Sequence, residues 1–222
     1  MIQYPDNYFE DEIRCGFRVT KLMKKYWAAQ LVVLEEVDRI CKKYNLEYFL
    51  WDGSMIGAVR HKGYIPWDDD LDIAMKRPDY IKFMSVLAQE MPEGYRICSM
   101  YNDPDWCDTF SRVVNTDHIP LSEEKKKEFY DCPFSVGVDI FPLDLIPRDK
   151  ELAQVQRDLL NLAYRMITNL MRKKSGLYSE EDVKLIDQEC IESLKIFAQF
   201  CAIPSMEGRS AMQIFHMIYE QY

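Results

Sequence analysis

The sequence predicts an α+β fold, with a mixed β-sheet core, flanking helices and a C-terminal helical layer. Two observations lead to this class. Up to about residue 147, short runs of β-branched and aromatic residues alternate with amphipathic segments of helix length. From Lys150 onward only helical periodicity remains. We therefore expect two domains, a catalytic core over residues 1–147 and a helical subdomain over residues 148–222.

Composition narrows the class of protein. Of the 222 residues, 48% are hydrophobic and 29% are charged, as in ordinary globular proteins. The net charge of −9 argues against a nucleic-acid-binding protein, which needs a basic face. No apolar run approaches the roughly 18 residues that span a bilayer, which leaves peripheral contact as the form of membrane association. Seven dispersed cysteines and a start without signal-peptide character predict a cytoplasmic protein.

The first element is an amphipathic helix over residues 20–44. Its predicted inward stripe recurs at spacings of three, four and seven and consists of Leu22, Tyr26, Val33, Val37, Ile40 and Tyr44. Asn45 is the expected stop. The aromatic residues at 47–51 predict a short buried strand. Ser54 is then expected to cap a short helix that ends near Arg60.

The remaining elements are punctuated by proline, glycine and serine. A strand over 70–75 precedes a helix that Pro78 opens and that runs to about residue 90. Three more strands are predicted over 95–101, 110–116 and 135–144. Two long helices follow, the first from Lys150 to about Lys174 and the second from a Ser179 cap to Pro204. A last short helix is predicted over 209–220.

Four carboxylates lie within five positions in the segment "WDDDLDIAM" (67–75), just where the strand pattern begins. Side chains alternate faces along a strand, so Asp70 and Asp72 point the same way, about 7 Å apart. A divalent cation would remove their repulsion, and Mg²⁺ prefers such oxygen ligands. Asp139, a lone carboxylate in "VGVDIF", supplies a third ligand if its strand is adjacent.

Gly53 and Ser54 stand where a strand meets a helix N-terminus, a position that offers N–H groups and a hydroxyl to a phosphate. Together with the three carboxylates they form a constellation typical of nucleotidyl or phosphoryl transfer. Each part also has a purely structural interpretation. A Gly-Ser pair is more often a turn and a cap, and Asp139 alone could be a hydrogen-bonded structural carboxylate.

Two blocks of the sequence closely resemble the signature of the LicD family, to which fukutin-like proteins are related. They are "LWDGSMIGAVRHKGYIPWDDDLDIAM" (50–75) and "VDIFPLD" (138–144), in the family's order. The resemblance covers roughly residues 20–147. It implies a nucleotidyltransferase-like fold and transfer of phosphocholine, or another phospho-alcohol, from a CDP-activated donor such as CDP-choline to a glycan, with release of CMP.

The resemblance also implies roles for individual residues. Asp70, Asp72 and Asp139 would be the catalytic ligands of Mg²⁺ (or Mn²⁺), with Asp68 as an auxiliary catalytic acid. Arg60 and His61 match the family's basic pair and would face the donor phosphates. Apart from the resemblance, Gly53 and Ser54, from their place at a helix N-terminus, and Trp67, whose ring could stack on the base or enclose a quaternary ammonium, are the other expected substrate-binding residues. The acceptor would be a glycan of the teichoic-acid or lipopolysaccharide type, in cell-surface polysaccharide biosynthesis.

Two other functions remain open from the sequence. One is a nucleotidyltransferase that moves NMP from an NTP to a small molecule or protein, since the same metal triad serves that reaction. The other is a non-catalytic binding protein with a vestigial site, because the chain ends without a C-terminal segment common in the family. The released product distinguishes the two enzymes, since a phospho-alcohol transferase releases CMP and a nucleotidyltransferase releases pyrophosphate.

Overall fold

The computed structural model describes residues 2–103, 106 and 108–200. The chain divides into two compact units, one formed by Met1–Asn102 with Phe110–Leu143 and the other by Asp103–Thr109 with Asp144–Tyr222. The first contains a five-stranded mixed sheet with helices, which confirms the predicted α+β class. The domain boundary predicted between residues 147 and 148 stays a prediction.

The first unit contains a small hairpin and one larger sheet. Its elements are β1 (Glu12–Arg14), β2 (Phe17–Val19), α1 (Lys21–Tyr44), β3 (Phe49–Leu50), α2 (Asp52–His61), β4 (Asp72–Lys76), α3 (Arg77–Glu90), β5 (Arg96–Cys98), β6 (Ser111–Val114), α4 (Glu123–Glu128) and β7 (Gly137–Leu143). The larger sheet has the order β3-β4-β7-β6-β5. Only β4 and β7 pair in parallel, and the other pairs are antiparallel. Each predicted strand of this sheet is present. The prediction that β3 is buried is wrong, since Phe49 is 39% exposed and Leu50 is only partly buried.

Helix α1 has the predicted ends and only part of the predicted inward face, of which Val33, Val37 and Ile40 are fully buried. The Thr20 side chain accepts a hydrogen bond from the Met23 N–H, and Asn45 ends the helix in the left-handed region, φ 54°. Leu22 is 45% exposed, whereas Lys24, Trp27 and Gln30 are buried. The polar residues can be buried because other elements supply partners. Lys24, for example, forms an ion pair with Glu12 of β1 at 3.0 Å.

Helix α2 begins earlier than predicted. It starts at Asp52, after an N-cap at Trp51 whose side chain makes no capping hydrogen bond. The prediction that Ser54 caps this helix is therefore wrong, because Ser54 already lies inside the first turn. Its hydroxyl Oγ instead accepts a hydrogen bond from the backbone N–H of Asp72, 2.9 Å away. This contact ties the start of α2 to the start of β4.

The core of the first unit lies where α1 and α3 cover the sheet. Its fully buried side chains include Val33, Val37, Ile40, Ile73, Met75, Phe83, Val138 and Ile140. Along β4, Ile73 and Met75 are fully buried and alternate with Asp72 and Ala74. This alternation fixes the register of β4, because a slip of one residue would exchange apolar and acidic side chains.

The second unit contains two long helices, α5 (Lys150–Lys174) and α6 (Glu180–Phe200), which pack on each other. Asp149 caps α5, and the Ser179 hydroxyl accepts from the Asp182 N–H at the start of α6, as predicted. The predicted end at Pro204 and the helix over 209–220 lie outside the described residues. Among the helices that the structure describes, none is both long enough and apolar enough to cross a membrane.

Candidate active site

Three charged side chains lie in one row across the middle of the sheet. β4 and β7 run in parallel with Asp72 opposite Asp139, and β6 places Arg112 opposite Asp139 on the other side. Residues in register on neighbouring strands project from the same face of a sheet. The structure therefore brings two of the predicted carboxylates side by side, as the strand pattern predicted, and adds an arginine.

A cavity of about 250 Å³ lies beside this row. Asp69, Asp70 and Asp139 line it together with Arg112 and Gln30. Asp70 and Asp139 thus face the same space, as predicted. Asp72, at the β4 end of the row, is only 8% exposed and is not among the residues that line this cavity, where it was expected with the other two.

The crowding of carboxylates changes their protonation. Burial, and after it the negative charges of Asp70 and Asp139, raise the pKa of Asp72 from its ordinary value of 3.8 to about 7. The pKa of Asp70 is also raised, by burial, by the charge of Asp68 and by a hydrogen bond with Asp68. This confirms the expectation that like charges here raise at least one pKa. Raised carboxylate pKa values are typical of functional sites.

Asp68 lies against the start of α2. A Cβ atom added at Gly53 would lie only 2.7 Å from the Asp68 carboxylate oxygen Oδ2, so the absence of a side chain at Gly53 leaves room for this carboxylate. The Ser54 hydroxyl accepts the hydrogen bond from the backbone N–H of Asp72 described above. Both residues therefore help to place the acidic segment. Their role in binding substrate stays a prediction.

Arg60, His61 and Trp67 form a separate group at the end of α2. Arg60 Nε donates to His61 Nε2 at 2.8 Å, and the rings of His61 and Trp67 meet edge to face with centroids 6.0 Å apart. Cys15 and Phe17, from the β1–β2 hairpin, complete the group. The described contacts of these side chains are thus with one another, and their predicted contact with donor phosphates stays a prediction.

Helix α1 positions the backbone of the acidic segment, which the sequence pattern did not indicate. The Trp27 indole Nε1–H donates to the carbonyl of Asp68 at 2.9 Å. One turn further, Gln30 Nε2 donates to the carbonyls of Asp69 and Gly137, at 3.1 and 3.4 Å. Gln30 thereby links the segment before β4 to the start of β7. The sequence feature that could have indicated this role is a glutamine at an inward-facing position of α1.

We expect Gln30→Met to destabilise the protein by about 1–3 kcal/mol, because methionine fills a similar volume but leaves two backbone carbonyls without their donor. The free energy of unfolding in urea measures the effect. Gln154→Met, on the exposed side of α5, is the matched control and should change stability by less than about 0.5 kcal/mol. Equal stability of the two variants would contradict a positioning role for Gln30.

Arg112 is the second functional candidate that the sequence did not indicate. Its Nε donates to Asp139 Oδ1 and its Nη2 to Asp139 Oδ2, the latter at 2.7 Å, in a bidentate pair. Within "FSRVVNT" it reads only as a polar residue in a strand. Its partner becomes evident only from the antiparallel register of β6 and β7.

The donor chemistry of the cavity fits a hard divalent cation. Asp69, Asp70 and Asp139 contribute carboxylate oxygens, and within the described part of the chain the buried Gln30 Oε1 has no hydrogen-bond partner. Among all the residues that the structure describes, however, no three His, Cys, Asp or Glu side chains lie close enough together to hold a metal ion. In this arrangement Asp139 is paired with Arg112 instead. Mg²⁺ or Mn²⁺ stays a predicted cofactor.

Comparison with known proteins finds a family that matches the part of the chain containing these residues. Residues 45–152 match the family described as LicD/FKTN/FKRP, nucleotidyltransferase domain. This range contains every predicted site residue. No solved structure matches the chain.

Three curated relatives match shorter stretches. The chain is 46% identical over 71 residues to the lipopolysaccharide cholinephosphotransferase LicD of Haemophilus influenzae, covering 31% of this chain and 27% of that protein. It is 42% identical over 65 residues to an uncharacterised protein of Rickettsia typhi (29% of this chain, 21% of the relative) and 37% identical over 65 residues to one of Rickettsia prowazekii (29% and 24%). The matched parts thus span about a quarter of the relatives' lengths.

Proposed function

Because this chain belongs to the LicD family through its domain at residues 45–152, we propose that it is a metal-dependent transferase of a phosphocholine-type group. The donor is a CDP-activated alcohol such as CDP-choline, and CMP is the leaving group. The acceptor is a hydroxyl of a surface glycan of the lipopolysaccharide or teichoic-acid type. The relative named as a lipopolysaccharide cholinephosphotransferase supports this choice of group and acceptor.

The observation that carries the proposal is the row of carboxylates beside one open cavity. Asp72 and Asp139 lie in register on parallel strands, and Asp70 lines the cavity with Asp139. Their ionised forms concentrate negative charge, and burial together with this charge raises the pKa of Asp72 to about 7. Such a site costs stability in the ligand-free protein, so it is expected where the charge serves chemistry.

In the proposed reaction Asp70, Asp72 and Asp139 would hold Mg²⁺ or Mn²⁺. The bound cation supplies positive charge to the diphosphate oxygens and to the departing CMP. The protein's own residues orient the groups. Trp27, Gln30 and Ser54 hold the backbone of the acidic segment in place. Asp68 or Asp69, at the edge of the acidic segment, accepts the proton of the acceptor hydroxyl.

The test is to incubate the protein with Mg²⁺, an acceptor glycan and either a CDP-alcohol or an NTP, and to identify the product. We expect CMP to be released from a CDP-alcohol, together with a phospho-alcohol on the glycan. Pyrophosphate released from an NTP instead would identify a nucleotidyltransferase. If neither product forms, while the protein binds both nucleotides, the site is a binding site without transferase activity.

A further inference from the structure

The pairing of Arg112 with Asp139 raises a question about the carboxylate row. A residue expected to bind a cation is bound to an arginine, through two parallel hydrogen bonds. The Asp139 side chain is 12% exposed, but the Arg112 side chain is 42% exposed. Both side chains line the cavity, but more of the Arg112 side chain is exposed, so an anion in the cavity can contact the arginine more readily than a cation can contact Asp139.

The position of the Arg112 side chain is built into the sheet. Gly137, two residues before Asp139 on the same strand, leaves space for the methylene groups of Arg112. A Cβ atom at Gly137 would lie 3.2 Å from Arg112 Cγ and 3.3 Å from Cδ. On another side, the guanidinium carbon lies 5.6 Å from the centroid of the Phe110 ring. The arginine is thus held over β7 by packing as well as by Asp139.

We propose that Arg112 is an exchangeable partner within this site. In the ligand-free protein it neutralises Asp139, and in the liganded protein it binds an anionic phosphate while Asp139 turns to the cation. The inference rests on the proposed function for the nature of the anion, a phosphate of the donor. It assigns to Arg112 two competing partners, one on the protein and one on the substrate.

The exchange predicts that each of two variants gains affinity for a different ligand. Arg112→Met should bind Mn²⁺ alone about 10-fold more tightly than wild type, because Asp139 no longer has an internal partner. Asp139→Asn should bind pyrophosphate alone, in EDTA, about 10-fold more tightly, because the guanidinium loses its bidentate ion pair with the Asp139 carboxylate. Isothermal titration calorimetry measures both dissociation constants. Methionine retains an unbranched stem over Gly137, and circular dichroism checks the fold of each variant.

The double variant separates exchange from a general effect of charge. If Arg112→Met acts by releasing Asp139, its gain in Mn²⁺ affinity should disappear in the Asp139→Asn background. Likewise, the gain in pyrophosphate affinity from Asp139→Asn should disappear in the Arg112→Met background. Gains that persist unchanged in the double variant would overturn the proposal.

A second comparison needs no change at Arg112. Asp70→Asn removes the same charge from the same cavity, yet Asp70 is not the residue paired with Arg112. Pyrophosphate affinity should rise more in Asp139→Asn, by about 10-fold, than in Asp70→Asn. Equal gains in the two variants, or no binding of pyrophosphate to any of them, would overturn the exchange.

These measurements are distinguishable from a failure of the proposed function, since none contains a CDP-alcohol or a glycan. The expected affinities, found in a protein that releases no CMP, would support Arg112 and reject the transferase. Conversely, the wild type could release CMP while its variants bind Mn²⁺ and pyrophosphate with wild-type affinity. That result would support the transferase and reject the exchange.

Discussion

Asp72→Asn should lower the rate of CMP release at least about 10³-fold. Asparagine keeps the shape of the side chain and removes the negative charge opposite Asp139. Loss of one ligand of a catalytic cation removes several kcal/mol of transition-state stabilisation, and 1.36 kcal/mol corresponds to a factor of ten in rate. The measurement is the initial rate of CMP release from CDP-choline with Mg²⁺ and an acceptor glycan.

Asp131→Asn is the matched control. It makes the same change of charge at a side chain that is 69% exposed and paired with Lys25 on the surface. We expect this variant to keep the wild-type rate. If Asp72→Asn were instead less stable than wild type and fully active, Asp72 would be a structural residue.

The contribution of Asp72 to the stability of the ligand-free protein should fall as the pH rises from about 4 to about 7. The folded protein holds a proton on Asp72 up to its raised pKa of about 7, whereas the unfolded chain releases it near 3.8. In this interval the folded state binds more protons, so each increase in pH favours unfolding. At 1.36 kcal/mol per pKa unit, the contribution of Asp72 reaches about 4 kcal/mol.

The difference between wild type and Asp72→Asn isolates this contribution. In EDTA at pH 8, the variant should be more stable than wild type by up to about 4 kcal/mol, and the difference should shrink toward pH 4. Free energies of unfolding in urea across this range provide the measurement. Glu90, whose pKa is lowered by hydrogen bonds from Lys43 and Tyr44, has the opposite dependence and is common to both proteins. A constant difference across the pH range would contradict a raised pKa at Asp72.

The parts of the site that follow from local pattern were predictable. Alternation of apolar and acidic residues placed Asp72 on the face opposite Ile73, and the isolated Asp139 read as a second strand carboxylate. Their adjacency was conditional on strand order, which the sequence pattern did not determine. The parallel pairing of β4 with β7 satisfies that condition.

The parts that depend on distant partners were not predictable. Gln30 and Lys24 look unsuited to the interior, and their burial depends on partners far along the chain, such as the carbonyl of Gly137 and the carboxylate of Glu12. Leu22 was predicted to be buried because it fits the helical spacing of the apolar stripe, but it is 45% exposed. The start of α2 was misplaced because Ser54 fits a capping pattern, whereas its hydroxyl serves β4.

The side chains of Gln30 and Trp27 show that the site depends on α1, which precedes the region matched to the family. The region shared with the LicD family starts at residue 45, just after α1 ends at Tyr44. A fragment limited to that region would keep every carboxylate, but would lose the donors to the carbonyls of Asp68 and Asp69. The smallest fragment that keeps this site in place therefore includes α1 and is longer than residues 45–152. A protein given residues 45–152 alone would receive the carboxylates without the side chains that position them.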